Sequence, residues 1–407
     1  MQKHMNYRDA VVFTRALACV VAVHSLSGCG SNANGDGNEV VEKNLSNLNA
    51  TNVGPQSPTV VADHPAQTED EWAETMSKTP PPKNGCFTVT RPNTSWSEIP
   101  CEPAPAPTAH RIPPRRKTAH TYTVGGGTDY IPLVVGTIAS ASGQFPSVVN
   151  TTSVASRDVK TGALIPGSYS LQLNTNFFNS PVCAGAKVPA DCSGVQQYVF
   201  SYDGPSNTNR LLIEYWLTGW ANACPEANPP PGCIPCPAGF GPSGNNCIAD
   251  SQSPPNIPPQ PITNLAYLTL YASAPILGSD VAMLRTQGGT LYSASSSSLL
   301  GLGSTRLWDF AEFNIFGNAG STCADLNAGS SLVTEVAVQY NGTASPTCQT
   351  DGGPTAETNN LTYVPGSCCS FGGTTTKLRF SESNASPLPQ APFCLLNDIT
   401  PIQFSLL

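Results

Sequence analysis

Ser193-Gly-Val-Gln-Gln-Tyr-Val-Phe-Ser-Tyr202 and, after a polar turn, Leu211-Leu-Ile-Glu-Tyr-Trp-Leu217 decide the fold class. Both stretches are short, rich in β-branched and aromatic residues, and bounded by turn formers, so they read as the two strands of a hairpin turning through Asp203 to Asn209. Strand alternation puts Gln196, Tyr198 and Phe200 on one face and Val195, Gln197 and Val199 on the other.

Segments of the same kind recur outward from this hairpin, at 131–139, 169–177, 265–272, 280–284, 290–295, 310–316, 332–339 and 377–381. Gly, Pro and Asn clusters separate them, and helical periodicity is nearly absent. The expectation is an all-β chain in which residues 121–407 form one antiparallel two-sheet sandwich, with 221–261 a Cys- and Pro-rich loop inserted in it. Residues 83–120 read as a disulfide loop followed by a Pro-rich extended run. The preceding stretch, 29–82, has too few apolar side chains to offset ordering entropy and reads as a flexible tether.

Of 407 residues 11% are charged, with 35 Gly and 39 Pro and a net charge of −8, which speaks against nucleic acid or anionic lipid as a partner. The basic cluster at 111–117 reads as solvated linker. Lys3, Arg8 and Arg15 precede an apolar run, Ala16 to Val23, far too short to span a bilayer, and then Leu26-Ser-Gly-Cys29. That order is an export signal over residues 1–28, and Leu-Ser-Gly-Cys resembles the lipobox of bacterial lipoproteins. The resemblance implies cleavage before Cys29, a lipid on its sulfur, and a cell-envelope location held by that membrane anchor. Gly30, where an Asp would retain the protein at the inner membrane, implies the outer membrane in a Gram-negative host.

An exported chain keeps its cysteines in disulfides. Of 15 cysteines, Cys19 lies in the signal and Cys29 at the lipid, which leaves an odd number and at least one thiol without an intramolecular partner. Local candidates are Cys86 with Cys101, Cys183 with Cys192, the group Cys224, Cys233, Cys236 and Cys247, and Cys348 with Cys368 or Cys369. Cys233-Ile-Pro-Cys236 lacks the second ligand pair that a zinc site needs. No cofactor and no metal are expected. Asp351, Glu357 and Glu382 lack the dense acidic spacing of a calcium loop.

No GxSxG, HExxH, phosphate-binding or dinucleotide-binding motif is present, and Gly125-Gly-Gly127 has no helix after it. All five histidines, His4, His24, His64, His110 and His120, precede the folded region, so hydrolysis there would fall to carboxylates, amides and hydroxyls. Two polar positions interrupt apolar strands: Gln196, with Gln197 as the alternative, and Glu312 in Trp308-Asp-Phe-Ala-Glu-Phe-Asn-Ile-Phe316. A carboxyl among aromatics has its pKa raised by desolvation.

The order of a Gln strand, a Glu-Tyr-Trp strand and an Ala311-Glu-Phe313 strand resembles the glutamic peptidases of the eqolisin type and, more remotely, neprosin-like proteins. The likeness covers roughly residues 168–340. It implies a concanavalin-like or jelly-roll sandwich, with Glu312 as general base and Gln196 as the amide that holds water and donates to the oxyanion. Asn314 and the Gln-Gln-Tyr order depart from that pattern. The expected function is thus an acid endopeptidase. The alternative is a non-catalytic envelope sandwich that binds glycan or polypeptide through Tyr198, Tyr215, Trp216 and Trp308.

Overall fold

The computed structural model describes residues 68–104, 123–221, 223–224, 232–318, 322–371 and 376–387. Cys29, the signal, the tether up to residue 67, the basic cluster at 111–117 and the three histidines His64, His110 and His120 lie outside the described residues. Among the described residues no helix is long and apolar enough to cross a membrane.

The all-β expectation holds. The expected hairpin forms with full register, Ser193–Asp203 pairing antiparallel with Thr208–Thr218 from Asp203↔Thr208 to Ser193↔Thr218. Its turn closes because Asn207 adopts a left-handed φ of 55°, a conformation Asn tolerates. This hairpin lies in a six-stranded sheet of order Gly241–Ser243, Asn246–Asp250, Thr208–Thr218, Ser193–Asp203, Tyr169–Thr175 and Ala311–Phe316. We call Ser193–Asp203 the Gln strand, Tyr169–Thr175 the Asn strand and Ala311–Phe316 the Glu strand.

The second sheet has 14 strands. Along it run Ser97–Ile99, Gly85–Thr90, Thr290–Ser297, Ser279–Thr286, Thr269–Ser273, Ile138–Val149, Ser331–Tyr340, Thr376–Ser383, Thr358–Tyr363, Thr322–Leu326, Val154–Asp158 and Leu164–Pro166. Pairing is antiparallel except between Thr322–Leu326 and Thr358–Tyr363. Leu171, Leu173, Phe200, Ile213, Phe313 and Ile315 of the smaller sheet share one core with Phe145, Leu270, Leu284, Val336, Leu378 and Phe380 of the larger. The sheets approach so closely that a Cβ on Gly143 would lie 2.0 Å from the Phe313 ring.

Three expectations on organisation need correction. The tether does not extend to residue 82, because Glu69–Ser77 is an α-helix. Thr68 and Glu71 form a capping box at its start, and Trp72, Ala73 and Met76 pack with Val89 and Leu291 on the larger sheet. Ordered structure therefore begins well before residue 121, with Gly85–Thr90 and Ser97–Ile99 paired onto Thr290–Ser297. Nor is 221–261 wholly a surface loop: Asn246–Asp250 pairs with the Glu214–Leu217 stretch and extends the smaller sheet.

Among the described residues disulfides join Cys86 to Cys101, Cys183 to Cys192, Cys236 to Cys247 and Cys348 to Cys368. Cys233 and Cys369 are also disulfide-bonded. Among the described residues Cys323 is free, buried beside Asp325 on an inner strand of the larger sheet.

Candidate carboxyl and amide site

Residues directly opposite on adjacent strands share a face. Across the smaller sheet, Glu312 stands opposite Asn174, Asn174 opposite Gln197, Gln197 opposite Glu214, and Glu214 opposite Asp250. The neighbouring row, Phe313, Leu173, Tyr198 and Ile213, faces the shared core. Gln196 and Tyr198 lie on that core face, and Gln196 Nε2 donates to the Tyr198 hydroxyl at 2.7 Å. The pairing of Gln196 with Glu312 is therefore corrected: alternation sends them to opposite faces of one sheet. Gln197, the alternative, is on Glu312's face.

Gln197 reaches Glu312 through one intervening amide. Its Nε2 donates to Asn174 Oδ1 at 3.1 Å and Gln172 Oε1 at 3.2 Å, and Asn174 Nδ2 donates to Glu312 Oε2 at 2.9 Å. The Thr355 backbone N–H donates to the same Glu312 oxygen at 3.3 Å. Here the chain from Gly353 to Thr355 closes over the carboxyl. A Cβ on Gly353, whose φ is +95°, would fall 2.0 Å from Glu312 Oε1, so only glycine fits.

Asp129, which the sequence reading missed, completes the site. It accepts from the Gly125 N–H at 2.8 Å and from the Tyr363 hydroxyl at 2.5 Å, both through Oδ1. Asp129 Oδ2 and Glu312 Oε1 are buried and lack a hydrogen-bond donor. The two carboxyls interact directly, and a single proton between them would satisfy both orphan oxygens. Burial raises the pKa of both, and the neighbouring Asp129 charge pushes Glu312 further up.

A third carboxyl lies beyond. Glu382 accepts from Asn314 Nδ2 at 3.0 Å and from Thr334 Oγ1 at 2.6 Å, and burial pushes it up to about 7. The partners of Asp129, Glu312 and Glu382 are all neutral donors, so nothing cationic offsets the desolvation. Asn314 thus serves as a donor to this buried carboxyl.

The four aromatic binding candidates also need correction. Tyr198, Tyr215, Trp216 and Trp308 are all buried at 0–2% exposure and offer no ring face to solvent. Trp308 stacks on Tyr198 with centroids 6.1 Å apart, and Trp216 packs with Val195, Ile248 and Phe177 on the opposite face of the sheet. Two cavities, of 360 Å³ against the outer face of the larger sheet and 530 Å³ at one end of it, are lined by neither Glu312 nor Gln197.

Asn174 and Gln172 carried a usable signal. Polar side chains at i and i+2 in the middle of 169–177 mark a polar face on that strand, matching Gln197 on the next. Asp129, Tyr363 and Gly353 come from segments far apart in sequence, and nothing local marks them. No protein-family profile, no curated protein and no solved structure matches this chain.

Proposed function

We propose that the chain is an acid hydrolase acting on polypeptide, with Glu312 and Asp129 sharing one proton and the Asn174 and Gln197 amides beside them. The observation that carries this reading is the buried carboxyl pair, whose orphan oxygens require a proton and whose other partners are fixed N–H and O–H donors. Two carboxyls that cannot both ionise supply one acid and one base at the same pH, which is what hydrolysis of an amide needs.

In the proposed reaction the ionised member of the pair takes a proton from water as the water attacks the carbonyl carbon. The protonated member then delivers a proton to the leaving amine as the C–N bond breaks. Asn174 Nδ2, or Gln197 Nε2 once released from Asn174, donates to the oxyanion. Substrate access requires the Gly353–Thr355 segment to move away from Glu312. The likeness of the Gln, Glu-Tyr-Trp and Ala-Glu-Phe strands to glutamic peptidases supports polypeptide as substrate, and it favours the jelly-roll type of sandwich.

The same proposal places the protein in the cell envelope, held by lipid on Cys29. The glycan-binding alternative loses its support with the burial of the four aromatics. Incubation of the purified protein with a denatured polypeptide between pH 2 and 7 tests the reading. Cleavage by wild type towards the upper end of that range, where one of the two raised carboxyls can ionise, and none by Glu312→Gln is expected. Equal cleavage by both would reject Glu312 as a reacting group, and cleavage by neither would reject the hydrolase.

A further inference from the structure

The opposite face of the Gln strand carries a second polar cluster, enclosed between the two sheets and separate from the Glu312 site. Asp280, near the start of Ser279–Thr286, is fully buried. Gln196, Ser298 and Tyr215 interact with its carboxylate, yet neither oxygen of Asp280 receives a well-formed hydrogen bond. Gln196 Oε1 and Ser298 Oγ are likewise buried and make no well-formed hydrogen bond.

The donors at this place are already engaged. Gln196 Nε2 donates to Tyr198, whose hydroxyl donates to the Ser273 carbonyl at 3.2 Å, and the Tyr215 hydroxyl donates to the Ser297 carbonyl at 3.2 Å. Only the second amide proton of Gln196 and the Ser298 hydroxyl proton remain for several unfilled acceptor positions. A buried set with more acceptors than donors, one of them a carboxylate, is destabilising unless something positive sits among them.

We propose that Asp280, Gln196 Oε1 and Ser298 Oγ bind one monovalent metal cation between the sheets. The all-oxygen donor set excludes the softer metals that choose imidazole or thiolate. A single carboxylate balances a single positive charge, whereas a divalent ion would leave net charge buried. The Ser273 and Ser297 carbonyls add partial negative charge nearby. Asp280 stands at the second position of its strand, three residues after the exposed Leu277. Burial pushes Asp280 up to about 7, so a proton competes with the cation in acid.

Unfolding midpoints at pH 8 in sodium, potassium and choline chloride of equal ionic strength test this. A cation that binds only the folded state at tenfold above its Kd shifts the unfolding equilibrium about 11-fold. The wild type is expected to unfold later in sodium or potassium than in choline, with the difference fading at pH 5. Asp280→Asn is expected to show no difference at pH 8. Where that variant fails to fold, wild-type crystals grown with rubidium are expected to show an anomalous peak beside Asp280. Identical wild-type midpoints in the three salts, or the absence of that peak, would overturn the proposal.

Discussion

Raising the pH from 4 to 8 in a sodium- and potassium-free choline buffer should weaken the fold. Asp280 and Glu382 are each pushed up to about 7 in the folded state by burial, from 3.8 and 4.5. A carboxyl whose folded pKa is raised holds its proton in the native state after the unfolded chain has released it. Its contribution is therefore complete below about pH 4 and is lost as pH rises towards 7. At about 1.36 kcal/mol per pH unit, Asp280 accounts for about 4 kcal/mol and Glu382 for about 3 kcal/mol as upper values. Asp129 and Glu312 act in the same direction. Glu71 and Asp158, held low by cap and turn N–H groups, oppose the trend, but both are exposed and screened. Against a typical domain stability of about 5–15 kcal/mol this is a large effect. With a urea dependence near 3 kcal/mol per molar, the midpoint should fall by about 2 M between pH 4 and 8. Tryptophan fluorescence reads it, since Trp72, Trp216, Trp220 and Trp308 are buried. Glu382→Gln should flatten the slope, because a glutamine can accept from Asn314 and donate to Thr334. A midpoint that is flat or rises with pH would refute the argument that these carboxyls are buried without cationic partners.

Gly143→Ala should destabilise the protein by about 1–3 kcal/mol in urea denaturation, because the added methyl meets the Phe313 ring. Gln197→Ala should lower both kcat, by more than tenfold, and the unfolding midpoint, since it leaves buried oxygens of Asn174 and Gln172 without their donor, whereas Gln196→Ala should lower the midpoint and leave kcat near wild type. Gly353→Ala should lower the unfolding midpoint, because the residue keeps a φ of +95° and the added methyl meets the Glu312 carboxyl. Peptide mapping after alkylation under native and then denaturing conditions should label Cys323 only once the protein is unfolded.

Most predicted segments fall on observed strands because each carries its own β pattern between turn formers, but Val154–Asp158, Thr322–Leu326 and Thr358–Tyr363 were not anticipated, and 131–139 covers the end of Asp129–Leu133 and only the first two residues of Ile138–Val149. Leu265 is an exception, since Ile262–Tyr267 forms a 3-10 turn before the strand Thr269–Ser273 begins. The helix Glu69–Ser77 carried its capping box in plain view, but one Trp and one Met among acidic residues give a weak apolar face. The choice between Gln196 and Gln197 was not decidable by alternation alone. Both faces of that strand are buried, Val195 and Val199 against one side and Tyr198 and Phe200 against the other, so neither parity looks like solvent. Burial of the aromatics was hidden for the same reason. Asp129 was illegible because its importance comes from contact with Glu312, more than 180 residues along the chain.

Whether Asp129 and Glu312 share a proton is open to direct measurement by infrared difference spectroscopy at pH 6, comparing wild type with Asp129→Asn and Glu312→Gln. Beside the bands of protonated Asp280 and Glu382, the account predicts a further protonated-carboxyl C=O band in the wild type that shifts or disappears in each variant. A C=O region unchanged by either substitution, with Asp129 and Glu312 both ionised at that pH, would contradict it.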